Sequence, residues 1–297
     1  MIDYAYFRPK DLAETFRLLD QHGRKAELIA GGTDVMVVIK QSNRSPEIII
    51  SLRGIEALRC IHKNDDYHIG ALTTHRMIEK SALMKNELTA LNQGASQVGS
   101  VQVRNVATIG GNICNAAPSA DTASPLMILD AILVLKSSKS ERQVPIEDFF
   151  VGPSETVKAW DEILTEIIIP EQMGTYGTAY CKHARRKAMS LPIIGVAVGL
   201  SLERDETIRD ARIALTVAAP TPIRVPQAED FLRGKPLSDE ILNEAGLIAS
   251  SPDCCSPRDS LRCEGWYRED MVRILIPRVA KEAAINARKK NSHMPPL

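Results

Sequence analysis

Apolar positions in the first 55 residues change from helical to strand-like spacing. After Pro9, the side chains of Leu12, Phe16 and Leu19 share one face of a predicted helix, which His22-Gly23 ends. The segments that follow are predicted as strands at 27–30 and 46–52, with a short helix or a second strand at 34–40 between them. This order predicts a small α/β unit.

The region from 56 to 173 alternates short strands with helices. Two strands flank the polar turn 63–66, which is typical of a hairpin. The predicted elements are strands at 58–61, 67–70, 131–136 and 163–169, and helices at 74–80, 88–98 and 121–129. We therefore expect a second, larger α/β subdomain.

Beyond a spacer at 171–174, strands come first and helices later. The predicted strands are 176–182, 193–203 and 208–218, and the predicted helices are 227–232, 239–249 and 267–288. This order is typical of an α+β domain, and 297 residues favour about two domains. The predicted division is a first domain at 1–173 (subdomains at about 1–55 and 56–173), a second at 174–288 and a flexible polar tail at 289–297.

Composition and charge exclude several classes of protein. Hydrophobic residues make up 44% of the chain, and 37 basic side chains balance 37 acidic ones. A net charge of zero removes the global attraction to nucleic acid or anionic membranes that a strongly basic chain has. The N-terminus lacks the features of a signal peptide, and no apolar stretch is long enough to cross a bilayer. A cytoplasmic protein is expected.

The cysteines and histidines do not form a metal-binding pattern. Six cysteines occur without a C-x-x-C pair, so we expect free, mostly buried thiols and no iron–sulfur cluster or structural zinc held by this chain. Cys114 is of interest because it closely follows a glycine pair. Solvated roles are expected for the histidines at positions 22, 62, 68, 75 and 293.

Two separated glycine pairs carry the main functional signal. Ala30-Gly31-Gly32-Thr33-Asp34 and Thr108-Ile109-Gly110-Gly111-Asn112 each follow an apolar run and lead into a small polar residue. Glycine lets backbone N–H groups approach phosphate oxygens closely. One such pair alone is usually a plain tight turn. Two of them, with hydroxyl and amide neighbours, predict two turns that cradle a dinucleotide.

The common nucleotide and hydrolase motifs are absent. The chain contains no P-loop, no G-x-G-x-x-G, no H-E-x-x-H and no G-x-S-x-G.

A basic run at 180–187 is most simply a solvated turn. Lys182 within it could instead face an electron-rich ring or its phosphate.

Five segments resemble the FAD-binding medium subunit of the xanthine dehydrogenase family of molybdenum hydroxylases. They are 28–34, 104–105 with 109–112, 218–222, 257–262 and 267–268. The resemblance covers nearly the whole chain. It implies an α+β fold: a vanillyl-alcohol-oxidase-type FAD domain of two α/β subdomains, and a C-terminal domain like that of the carbon monoxide dehydrogenase flavoprotein. FAD would lie extended between the two domains.

The resemblance also assigns roles to particular residues. Two segments are implied to wrap the FAD pyrophosphate, one from each side. The first is Glu27, Leu28, Ile29, Ala30, Gly31, Gly32, Thr33 and Asp34, and the second is Thr108, Ile109, Gly110, Gly111 and Asn112. Asp121 would hydrogen-bond the cofactor, Leu164 would pack on it, and Lys182 would lie near the flavin. No catalytic or metal-binding residue is implied. Val98 stands where some relatives place an aromatic ring against the flavin.

An electron relay is the implied function. Substrate would be hydroxylated at a molybdopterin centre in a large subunit, and two [2Fe–2S] clusters of a small subunit would pass electrons to FAD here and on to NAD. The ending Thr33-Asp34 is closer to the purine-oxidising branch, so xanthine is the expected substrate. The implied assembly is a dimer of heterotrimers.

Two other functions remain open at this point. One is a stand-alone flavin oxidase of the same fold, which needs acid–base residues facing the flavin. The other is a non-catalytic nucleotide-binding protein, which predicts no redox-active chromophore.

Overall fold

A computed structural model describes residues 4–41, 46–172 and 176–291. Residues 292–297, and with them His293, lie outside the described residues, as does the predicted domain boundary at 173–174. None of the helices in the described ranges is both long and apolar enough to cross a bilayer.

The first subdomain is a three-stranded parallel sheet with two helices. Its elements are β1 (Ala5–Phe7), α1 (Leu12–His22), β2 (Ala26–Ile29), α2 (Val35–Gln41) and β3 (Ile48–Ser51), with strand order β1-β3-β2. Asp11 caps α1 by accepting a 2.7 Å hydrogen bond from the Glu14 amide. Gly23, at a φ of +58°, ends the helix as expected from the sequence. The segment at 34–40, predicted as a short helix or a second strand, is helical.

The second subdomain packs helices on one face of a five-stranded antiparallel sheet. Its strands are β4 (Ile61–Lys63), β5 (Tyr67–Gly70), β6 (Ile132–Lys136), β7 (Glu141–Pro145), β8 (Phe150–Gly152), β9 (Glu155–Thr156) and β10 (Ile163–Ile169). Its helices are α3 (His75–Lys80), α4 (Ala82–Glu87), α5 (Thr89–Ser96), α6 (Val101–Val106), α7 (Ile109–Asn115) and α8 (Ala123–Met127). The strand order is β4-β5-β10-β6-β7, and β8 pairs with β9. Buried Ile69, Leu133 and Ile167 join the helices in one core.

The second glycine pair is not a turn, contrary to the prediction. Gly110 and Gly111 lie in the first turn of α7, and the apolar run before them forms α6. Thr108 caps α7 by accepting a 3.1 Å hydrogen bond from the Gly111 amide. The cap therefore starts a helix at the position where the glycine pair predicts a loop.

The C-terminal domain is a four-stranded antiparallel sheet covered by helices. Its elements are β11 (Tyr176–His183), β12 (Ile194–Leu202), β13 (Ile208–Thr216), β14 (Ile223–Arg224), α9 (Pro226–Leu232), α10 (Asp239–Ala249) and α11 (Gly265–Asn291), with strand order β11-β12-β13-β14. Helix α11 runs three residues beyond its predicted end and so includes the first residues of the predicted tail. The Lys290 ammonium group binds the carbonyl oxygens of Glu87 and Tyr176, which fastens this end to the rest of the molecule.

The apolar core of the second subdomain extends into the C-terminal domain, which also has a core of its own. Tyr176 and Tyr180 of β11 belong to the core cluster of the second subdomain. The Ala90 amide donates to Thr178 Oγ1 at 3.1 Å, and the Tyr180 amide donates to Gln93 Oε1 at 2.7 Å. These contacts hold β11 against α5, so that one face of the C-terminal domain forms a wall of the cavity described next.

Candidate cofactor site

A cavity of about 930 Å³ lies where the two subdomains and the C-terminal domain meet. Nearly all of the predicted cofactor-binding residues line it: Glu27, Leu28, Ala30, Gly31, Gly32, Thr33, Asp34, Thr108, Gly110, Gly111, Asn112, Asp121, Leu164 and Lys182. Ile29 and Ile109 do not line it, because their side chains pack into the cores behind the two glycine pairs. The fold thus brings together, around one cavity, segments that lie up to about 150 residues apart in the sequence.

The first glycine segment, 30–34, joins β2 to α2 and offers free backbone donors. Gly32 has a φ of +77°, which favours glycine. A Cβ atom on Gly31 would lie 2.3 Å from the Val106 carbonyl oxygen, so the segment packs directly on the chain that leads to α7. Within the described ranges, the backbone amides of Gly32, Thr33 and Asp34 donate to no protein acceptor. These amides are therefore available to an anionic ligand.

The second glycine segment, 108–112, offers close approach rather than free amides. The amides of Ile109 and Gly110 donate to the carbonyl oxygens of Thr73 and Ala71, both at 3.0 Å. The amides of Gly111 and Asn112 donate to Thr108 Oγ1 and to the Thr108 carbonyl oxygen in the first turn of α7. A Cβ atom on Gly110 would lie 2.6 Å from that of Ala71, so this glycine allows tight packing. The two segments are adjacent but not equivalent.

A buried ion pair joins the two domains at the cavity wall. Lys182 Nζ on β11 lies 2.6 Å from Asp121 Oδ2, and both side chains are 7% exposed. The Tyr180 hydroxyl donates to Asp121 Oδ1 at 2.9 Å, and Lys182 Nζ also donates to the Gln97 carbonyl at 3.0 Å. Burial raises the pKa of Asp121, and the attraction of Lys182 opposes that rise. The pairing fixes both side chains in place.

Comparison with known proteins decides the family. Residues 2–172 match the FAD binding domain in molybdopterin dehydrogenase, and residues 179–283 match the CO dehydrogenase flavoprotein C-terminal domain. The xanthine dehydrogenase FAD-binding subunit of Escherichia coli O157:H7 is 36% identical over 97% of this chain and 98% of its own length. This chain belongs to the FAD-binding medium subunits of the molybdenum hydroxylase family.

Further relatives agree with this membership. The nicotinate dehydrogenase FAD-subunit of Eubacterium barkeri is 34% identical over 82% of this chain and 83% of its own length. In the structure of carbon monoxide dehydrogenase from Hydrogenophaga pseudoflava, one chain superposes with a TM-score of 0.90 at 31% identity. That match covers 95% of this medium subunit and 98% of the solved chain. The predicted α+β fold of an FAD domain and a flavoprotein C-terminal domain is confirmed.

The cavity of this medium subunit fits a flavin dinucleotide. Its volume lies within the usual range for cofactor sites, roughly 300–1,000 Å³. The free amides belong to Gly32, Thr33 and Asp34, which line this cavity, and unpaired backbone amides are the donors that a pyrophosphate requires. Apolar side chains supply the remaining wall for a ring system, among them Val98, Leu164 and Leu191. Trp160 also lines the cavity and brings an aromatic ring, which the sequence pattern does not predict.

Two side chains near the site of this medium subunit were missed or misjudged. Arg53 was not predicted, yet its Nε donates to the Ala30 carbonyl at 2.9 Å and its Nη2 contacts the Gly31 carbonyl. The expected solvated role for His75 is wrong, because this residue is completely buried at the cavity wall. Neither of its ring nitrogens has a partner among the described residues, and burial lowers its pKa to about 4.

The cysteines are free, as expected, but mostly partly exposed rather than buried. Only Cys255 is fully buried among the six. Cys114 lines the cavity, where desolvation raises its pKa to about 11. Its thiol is therefore protonated near neutral pH, and a thiolate nucleophile is not available there.

Proposed function

We propose that this chain holds FAD in the cavity and relays electrons from [2Fe–2S] clusters of a small partner subunit to the flavin and on to NAD. In this proposal a large molybdopterin subunit hydroxylates the substrate, and the three chains assemble as a dimer of heterotrimers. The observation that carries it is the single cavity bounded by the free amides at 32–34 on one side and by Lys182 on the other. A cytoplasmic location stays a prediction.

The contributions of the chain to this function are binding and orientation. The amides of Gly32, Thr33 and Asp34 would donate to the pyrophosphate, and Gly111 would let it approach α7. Bound FAD supplies the redox chemistry, so no side chain needs to act as an acid or base in hydride transfer. The Lys182–Asp121 pair would set the local charge beside the ring. Leu164 and Val98 would exclude water from it.

A group of basic side chains supports NAD as the acceptor. Arg185, Arg186 and Lys187 line a smaller cavity of about 270 Å³ that also touches Lys182. Guanidinium and ammonium groups are the usual partners of phosphate oxygens. A dinucleotide bound there would reach towards the flavin without sharing the amides at 32–34.

The names of the relatives favour a purine as the substrate of the complex. The E. coli relative at 36% identity is named for xanthine dehydrogenase, and a 30% identical relative from a Pseudomonas species is named for caffeine dehydrogenase. Both of these substrates are purines. The relatives are described as subunits or chains of larger enzymes, which favours the electron-relay proposal over a stand-alone oxidase.

The first test is cofactor binding by a matched pair of glycine variants. Gly32 and Gly23 both have positive φ, at +77° and +58°, so an alanine strains the backbone at either position. At Gly32 its Cβ would also lie 2.9 Å from the end of the flexible Ile29 side chain, whereas nothing lies within 4 Å at Gly23. Only Gly32 lies at the cavity. We expect wild type and Gly23→Ala to retain about one FAD per chain, and Gly32→Ala to lose most of it, as measured by flavin absorbance and by chromatography of the released nucleotide.

The electron-relay part is tested on the assembled complex. Co-expression with the small and large subunits should give flavin and iron–sulfur absorption together with xanthine-dependent NAD reduction. Failure of the wild-type chain to take up FAD would contradict the cofactor proposal. FAD uptake without NAD reduction, at full occupancy of the other centres, would contradict the acceptor proposal alone.

A further inference from the structure

Two histidines and a glutamate meet on the sheet of the second subdomain. His62 on β4 and His68 on β5 are directly opposite each other in the antiparallel pairing. Glu166 on β10 pairs with Gly70, and Ile168 pairs with His68, so Glu166 is the diagonal neighbour of His68. Three adjacent strands therefore each place one potential metal ligand on the same face.

A β-bulge separates this cluster from the cofactor cavity. Leu164 pairs with Leu135 and Glu166 pairs with Val134, which leaves Thr165 as the extra residue. Because neighbouring residues on β6 face opposite sides, their partners Leu164 and Glu166 also face opposite sides. Leu164 joins the core and the cavity wall, whereas Glu166 joins the two histidines.

The distances within the cluster suit a divalent transition cation. One ligand atom from each residue lies within 4.8 Å of the others. His68 Nδ1 is 3.2 Å from Glu166 Oε1, and the two imidazole rings are parallel to within 3°, with centroids 4.8 Å apart. Zinc is bound by imidazole nitrogen and carboxylate oxygen at about 2.0–2.2 Å, which requires ligand atoms roughly 3.3 Å apart. A cation lies close to the plane of each imidazole that binds it, so the exposed His62 ring must rotate out of its parallel stack on His68 for both nitrogens to reach one ion.

We propose that His62, His68 and Glu166 form a binding site for one divalent transition cation, such as Zn²⁺, with water completing its coordination. Two imidazoles and a carboxylate are ligands that zinc accepts, whereas calcium and magnesium prefer oxygen alone. The cation ties β4, the short edge strand, to β5 and β10. It would thereby stabilise the sheet whose β10 strand also carries Leu164 in the cavity wall.

A Zn²⁺ titration of the full-length, FAD-loaded chain tests the site. The chain is first treated with a chelator to remove bound metal, and the chelator is then removed. Isothermal titration calorimetry should give one saturable site with a micromolar Kd in wild type. His62→Ala, His68→Ala and Glu166→Gln should each weaken binding at least ten-fold. Asp65→Asn is the matched control, because it removes an exposed carboxylate in the adjacent turn outside the cluster. This control should bind Zn²⁺ as wild type does.

A second measurement keeps the test independent of folding defects. Zn²⁺ should raise the thermal midpoint of wild type and Asp65→Asn by several degrees and leave that of His62→Ala unchanged. His62 is exposed, so its truncation should fold normally. Absence of saturable binding in wild type, or equal Zn²⁺ affinity in wild type and all three cluster variants, would overturn the proposal.

Discussion

Arg53 determines how the first glycine segment presents its peptide groups. It binds the carbonyl oxygens of Ala30 and Gly31 and does not itself line the cavity. Because the C=O and N–H of a trans peptide group point in opposite directions, the Gly31 and Gly32 amides point away from Arg53. Arg53 is exposed and follows β3, so it acts on the cofactor site only through the carbonyl groups that it binds.

Arg53→Ala is expected to weaken FAD binding about ten-fold, because it removes two charge-assisted hydrogen bonds worth roughly 1.5–3 kcal/mol each when fully formed, and less at an exposed position. The Kd from quenching of flavin fluorescence measures the effect. Lys25→Ala is the control, because it removes an exposed cation of the same subdomain that pairs with Glu47. Equal FAD affinity in Arg53→Ala and Lys25→Ala would contradict the role given to Arg53.

His75 makes the folded chain sensitive to acid. Its pKa is about 4 in the folded chain, against 6.5 for an ordinary histidine. Between these values the unfolded chain binds a proton that the folded chain does not, so the free energy of unfolding falls as the pH drops. Each pH unit costs about 1.4 kcal/mol, or about 3 kcal/mol over the whole window.

His75→Leu should remove this dependence and leave the fold intact, because the ring has no hydrogen-bond partner among the described residues. Urea denaturation of the flavin-free chain at pH 7.5 and pH 5 measures it. We expect the stability lost between these conditions to be about 2 kcal/mol smaller than in wild type. Met77→Leu, on an exposed position of the same helix, should keep the wild-type loss. An unchanged loss in His75→Leu would rule out His75 as the cause.

At the scale of elements, regular patterns with local caps were predictable from the sequence. The strand at 163–169 and the helix at 239–249 have the predicted bounds. In the helix, the Ser238 side chain accepts a hydrogen bond from the Ile241 amide, and two acidic residues lie in the first turn. These signals lie within a few residues of the element they define, so the sequence alone carries them.

Elements that depend on distant neighbours were missed. Strand β7 is mostly exposed and polar, so no alternation marks it, and only its pairing with β6 makes it a strand. The helix at Gly110-Gly111 exists because Thr108 caps it and Ala71 packs against Gly110. A glycine pair by itself predicts a turn instead.

The residues of the candidate site also divide into those that local sequence signals reveal and those that depend on distant neighbours. The glycine segments could be found because their residue types are unusual at adjacent positions. Arg53 and His75 could not, since one acts through carbonyls more than twenty residues away and the other is defined by its complete burial at the cavity wall. The Arg53 contact depends on the fold of the first subdomain, and the burial of His75 depends on that of the second.

At the scale of the whole molecule, the Asp121–Lys182 pair connects the stability of the two domains to the cofactor cavity. Asp121 belongs to the N-terminal domain and Lys182 to the first strand of the C-terminal sheet. Removing one partner of a buried pair leaves the other charge without compensation, which costs about 3–5 kcal/mol, whereas replacing both by neutral groups is often nearly neutral. The pair is thus expected to be strongly coupled.

A double-mutant cycle tests this coupling. Lys182→Met and Asp121→Asn should each lower the free energy of unfolding by about 3 kcal/mol, and the double variant should recover most of that loss. The exposed pair Lys136–Glu141, at 2.8 Å, is the matched control, and Lys136→Met should cost less than about 1 kcal/mol. Because burial already raises the pKa of Asp121, its protonation should make the loss in Lys182→Met smaller at pH 5 than at pH 7.5. Additive losses in the double variant would mean that the two side chains stabilise their domains separately, and that the cavity wall is held together by the apolar contacts of β11 alone.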